Sequence, residues 1–219
     1  MALSQRQYSR VEQWLDRGLH YSGLIAALAG VVVLIALTAR YHSGLTLFSV
    51  ALYSAGLLTM LAASTLANHD LQANPEISRP RERLDHAAIF LMIAGTYTPF
   101  TLLVLPPLWG WGLFAFVWLL AALGASLKLS DRLGYGPAIG LYLVLGWSIL
   151  PAIDPLVTRM PTMSLGLLIA GGVLYSVGVL AFLAHRVPFH TVIWHGTVLA
   201  AAACHYGAIL TGVVLAQPS

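Results

Sequence analysis

Long apolar runs alternate with short polar or proline-bearing breaks along the whole chain. Seven runs stand out, at 20–39, 45–67, 86–104, 108–127, 133–152, 163–184 and 190–214. Each approaches the length of about 20 helical residues that crosses a hydrocarbon core of ~30 Å. Inside lipid every backbone amide must be satisfied internally, so runs of this kind fold as helices. The short alternating segments of a membrane β-barrel are absent. The pattern therefore predicts an all-α fold, a seven-transmembrane helix bundle forming a single domain over 1–219. Residues 1–19 read differently. Tyr8, Val11, Leu15 and Leu19 recur at helical spacing among Arg6, Arg10, Glu12, Asp16 and Arg17, which predicts an amphipathic helix lying on the membrane surface.

Composition supports the same class. Hydrophobic residues make up 58% and charged residues 9% of the chain, against about 25% charged in soluble domains. The formal net charge of +3 is a topology signal, not a nucleic-acid signal. With the N-terminus inside, Arg6, Arg10, Arg17, Arg79, Arg81, Arg83, Lys128, Arg132 and Arg186 fall inside, and only Arg40 and Arg159 fall outside. That asymmetry predicts an inside N-terminus and an outside C-terminus. Cys204 is the single cysteine, so no disulfide framework is expected. Pro99 is a candidate kink, Pro106 and Pro107 a turn, and Gly166, Gly171, Gly172 and Gly178 a close-packing face. Trp109, Trp111 and Trp118 read as interfacial anchors and lipid-facing bulk.

The chemistry lies in ionisable residues at membrane depth, which are expensive there and mark function by default. On this topology His20, His69, His86, His185, His190 and His195 fall on the inner half, while His42 and His205 fall toward the outside. His69, Asp85, His190 and His195 lie near one membrane level. Imidazoles and a carboxylate are zinc ligands, and a bound zinc ion activates water and polarises a carbonyl. Asp85 is placed to accept a proton from that water, and Ser64 to orient it or to donate to an oxyanion. His205 lies ~15 Å beyond His195 along a helix and reads as a satisfied core histidine. His86 points about 100° away from Asp85, which suits packing or support of a ligand. Asp16 and His20 are spaced as an i,i+4 pair or as a polar plug beneath the site.

The stretch RLDHAAIFLMIAGTYTPF (83–100) resembles the third-helix signature of bacterial hemolysin III membrane proteins. DRGLHYSGL (16–24), GLYLVLGW (140–147), GGVLYSVGV (171–179) and IWHGTVLAAAACHYGAI (193–209) resemble the same family. That family is related to adiponectin and progestin receptors and, more distantly, to alkaline ceramidases. The resemblance implies a seven-helix bundle in the bacterial inner membrane, a zinc site near the cytoplasmic face and hydrolysis of lipid amides. Its ligand pattern is a Ser, three residues and a His in the second helix, an Asp in the third, and a His, three residues and a His in the seventh. Asp85 and His195 match that pattern. Asn68 and Thr191 stand where the other two histidines belong, and His69 and His190 lie one residue away. One residue is a 100° rotation on a helix, and His190 and His195 lie about 140° apart unless a π-turn intervenes. Either the site is re-registered and binds zinc through His69, His190 and His195, or it is a polar pocket without tight zinc. The spare histidine beside each vacated position favours the first.

The leading functional expectation is a zinc-dependent hydrolase acting on a lipid amide or ester, with Asp85 and Ser64 catalytic and His195, His190, His69 and Asp85 ligating. The alternative is a non-enzymatic protein of membrane lipid homeostasis or sensing. A pore ranks last, because the ionisable residues gather on one side instead of lining a path. Membrane lipids are the expected partners, with no nucleic acid; the sequence does not disclose an oligomeric state.

Overall fold

The computed structural model describes residues 8–42, 44–68, 75–184 and 186–216. Among the described residues, seven helices are long and apolar enough to span a membrane, as the hydrophobic pattern predicts. The protein is a multi-pass membrane bundle.

Helix α1 runs unbroken from Arg10 to Tyr41. Ser9 and Glu12 form a capping box at its start, with the Glu12 amide donating to Ser9 Oγ at 3.1 Å and the Ser9 amide donating to Glu12 Oε2 at 2.8 Å. The surface helix expected over 1–19 is thus, from Arg10 onward, the first three turns of a span. Its polar residues explain why. Glu12, Asp16 and His20 repeat every four residues and are buried, while Val11, Trp14 and Leu15 on the other face are exposed. The polar stripe enters the bundle and the apolar face meets lipid, the reverse of a helix resting on a membrane. Residues 1–7 lie outside the described set.

Helix α2 (Leu45–Asn68) and α3 (Pro75–Leu103) form the tightest pair. At Gly56 a Cβ would stand 2.8 Å from the Leu91 carbonyl, so only glycine lets the backbones approach this closely. α3 begins about eleven residues before the apolar run at 86–104, because RPRERLDH continues the helix and is braced by an Arg83–Asp131 ion pair. Helix α4 (Pro107–Leu129) follows the Pro106–Pro107 turn.

The fifth span is broken. α5 (Tyr135–Trp147) gives way to a 3₁₀ turn at Leu150–Ala152 and then α6 (Ile153–Arg159). Pro151 cannot donate the helical hydrogen bond. Tyr97 of α3 repairs the gap: its hydroxyl donates to the Gly146 carbonyl at 2.8 Å and accepts from the Ile149 amide at 3.0 Å. Helix α7 (Thr162–Leu183) and α8 (His190–Ile209) complete the bundle, and α8 ends in a π-turn at Leu210–Val214. Of the four α7 glycines, Gly171 and Gly178 make the close approaches to α8, whereas Gly166 faces open space. Trp109 and Trp111 are exposed as expected, but Trp118 is half-buried and donates to Thr98 Oγ1 at 3.0 Å.

Candidate metal centre

Four helices bring polar groups to one end of the bundle. α1 contributes Asp16 and His20, α2 contributes Ser64, α3 contributes Asp85, and α8 contributes His195. The centre is Asp16, 3% exposed. Its Oδ1 accepts from His195 Nδ1 at 2.6 Å, and its Oδ2 lies 3.7 Å from His20 Nδ1. His20 is steered by its own helix, with Nδ1 donating to the Asp16 carbonyl at 2.7 Å. The two imidazoles meet edge to face with centroids 4.3 Å apart. Ser64 Oγ stands 3.2 Å from His20 Nε2, and the Asp85 carboxylate is near enough to Ser64 and His195 to interact electrostatically with both.

Among the described residues, Asp16, His20 and His195 form a group whose three ligand atoms lie within 4.8 Å of one another. All three side chains are buried. A buried carboxylate flanked by imidazoles needs a positive charge to balance it, and that charge is either a proton or a metal ion. Two nitrogens and one oxygen also match a catalytic zinc set, which leaves a fourth position for water. The donor chemistry therefore fits a divalent metal.

The structure brings together Ser64, Asp85 and His195 of the residues expected from sequence. His190 lies elsewhere. It opens α8, is 5% exposed, and its Nε2 is 3.5 Å from the Tyr8 hydroxyl. α8 is a regular helix from His190 to Ile209 and its π-turn lies at the opposite end, so His190 stays about 140° around the axis from His195. His69 lies outside the described residues, as does His185. His86 packs edge-on against Tyr135 and Phe182, in keeping with a packing role. His42 is tied to the Val214 carbonyl at 2.9 Å.

Asp16 and His20 are the residues sequence reasoning weighed as a helix pair or plug, not as ligands. The signal was present: Glu12, Asp16 and His20 at i, i+4 and i+8 make a polar stripe leading into the first span. Glu12 fixes that stripe in place, because its Oε1 accepts the Phe189 amide at 2.7 Å and so ties the start of α1 to the start of α8.

Beyond the polar cluster the interior turns apolar. A cavity lies deeper in the bundle, lined by Met60 one turn from Ser64, Ile89 one turn from Asp85, and Trp194, the chain neighbour of His195. It reaches Phe100 on α3 and Leu165 on α7.

A family model described as "Haemolysin-III related" matches residues 8–206. The chain is 35% identical over 192 residues to a protein named Hemolysin-3 from Bacillus cereus, covering 87% of each. It is 33% identical over 192 residues to a Hemolysin-3 homolog of Bacillus subtilis, covering 87% of this chain and 89% of the relative.

Proposed function

The chain belongs to the haemolysin-III-related family, and from that premise we propose that it is a zinc-dependent hydrolase of the bacterial plasma membrane. Its substrate is a lipid amide or ester whose acyl chain lies within the bundle. The observation that carries this reading is a three-ligand cluster with an apolar cavity lined from one turn deeper in the same helices.

Asp16, His20 and His195 hold the metal. When bound, zinc polarises the scissile carbonyl and makes water nucleophilic at neutral pH. Asp85 is the general base that takes the proton from the attacking water, and Ser64, 3.2 Å from His20 Nε2 and near Asp85, orients that water. The apolar cavity receives the acyl chain and excludes bulk water from the reacting end, which strengthens every polar interaction there. Because the ionisable cluster occupies one end and the interior beyond it is apolar, a lipid pocket fits the bundle better than an aqueous pore.

Elemental analysis of protein purified without chelators tests the proposal. The expected result is about one zinc per chain, lost in His195→Ala. Wild-type protein free of metal and inert toward ceramide-like amides and lysolipid esters would leave the sensing alternative standing.

A further inference from the structure

Among the buried polar atoms without a hydrogen-bond partner are Tyr175 Oη on α7 and His205 Nδ1 on α8. They are close neighbours. The Tyr175 and His205 rings lie 5.5 Å apart. His205 is 8% exposed. Buried groups of this kind are normally satisfied, and leaving them unmade is costly. Tyr206, the neighbouring phenol, is already committed to the Gly30 carbonyl at 2.9 Å.

The placement of His205 is built into the sequence. Its Nε2 edge lies 2.5 Å from where a Cβ on Gly171 would stand, so only glycine leaves room for the ring. His205 Nδ1 accepts in one neutral tautomer and donates in the other. The pair thus offers one imidazole nitrogen and one phenol that both donates and accepts. That is the complement of a single hydroxyl group.

Tyr175 and His205 line the apolar cavity that lies deeper in the bundle than the candidate metal centre. We infer that Tyr175 and His205 bind the hydroxyl of a hydroxylated acyl chain lying in that cavity. The inference deepens the hydrolase reading by naming a substrate class, and it rests on that reading for the position of the carbonyl. Ten residues of α8 separate His195 from His205, a rise of about 15 Å. An extended alkyl chain with C–C bonds of about 1.5 Å at about 111° advances roughly 1.25 Å per carbon. The hydroxyl therefore belongs about twelve carbons from the carbonyl.

The test is competition against tritiated octadecanoic acid on the full chain in nanodiscs. 12-hydroxyoctadecanoic acid should compete about tenfold better than octadecanoic acid, the worth of one or two neutral hydrogen bonds. 2-hydroxyoctadecanoic acid should compete no better than the unsubstituted acid. Tyr175→Phe, which keeps the ring, should erase the preference. Equal competition by all three acids, no binding of any, or a preference that survives the substitution overturns the inference. The preference should persist in His195→Ala, which removes a metal ligand, so loss of hydrolysis and loss of chain recognition are read separately.

Discussion

Replacing Asp16 by Asn tests the metal centre most directly. The substitution keeps the side chain's shape and removes the oxyanion that sits 2.6 Å from His195 Nδ1 and 3.7 Å from His20 Nδ1. A ligand that binds only the folded state stabilises it by RT ln(1 + [L]/Kd), or about 2.7 kcal/mol at a hundredfold excess over Kd. In a chain of this size 1 kcal/mol moves Tm by about 2–4 °C, so zinc should raise the wild-type Tm by about 5–11 °C. Losing a partner that only supports a ligand costs 10–100-fold in affinity, and losing a ligand itself costs at least the upper figure. At the same zinc concentration the variant then sits near its own Kd, where stabilisation falls to about 0.4 kcal/mol and the shift to about 1–2 °C. The assay is thermal unfolding of detergent-solubilised protein, stripped with chelator and titrated with zinc. An Asp16→Asn variant with the full wild-type shift would refute ligation by Asp16. A wild type that ignores zinc would refute the metal centre itself.

Three further outcomes follow from the same geometry. Ser64→Ala should lower turnover about 100-fold with zinc content unchanged, as read by paired activity and elemental measurements. Thr191→His places an imidazole one turn before His195 on the same helix face; it should tighten zinc binding at least about tenfold in a competition titration with a chelating dye. At Gly56 a Cβ meets the Leu91 carbonyl at 2.8 Å, so Gly56→Ala must push α3 from α2. It should cost about 1–3 kcal/mol in a Tm measurement and reduce activity further by separating Asp85 from Ser64.

The spans were legible because lipid imposes one length and one backbone solution, and the hydrophobic runs record both. Their ends were less so. The charged segment 77–85 looks like a loop by composition, yet it is helical because Arg83 finds Asp131 across the bundle, a pairing invisible along the chain. The break in the fifth span depends on Tyr97, about fifty residues away, supplying the hydrogen bonds that Pro151 and its neighbours cannot. Ser64, Asp85 and His195 drew a site reading because polar groups at one membrane level invite it. Asp16 and His20 were harder to place. Deciding whether an i,i+4 pair faces inward takes the orientation of the whole helix, and that is set by contacts such as Glu12 with Phe189.

Those contacts make the role of α1 intelligible. The helix is held to the last span at three heights: Glu12 to the Phe189 amide, Tyr206 to the Gly30 carbonyl, and His42 to the Val214 carbonyl. A helix pinned along its length can deliver ligands as precisely as the spans beside it, so the positions vacated at Asn68 and Thr191 need not leave the site open. The change in donor type has its own consequence. Three neutral imidazoles around a dication leave two positive charges, whereas Asp16, His20 and His195 leave one, and Asp85 beside them offsets that. The less positive centre acidifies water less, which places more of the proton transfer on Asp85 and Ser64. Asp85→Asn should therefore abolish turnover while the metal stays bound, and the loss should exceed that from Ser64→Ala.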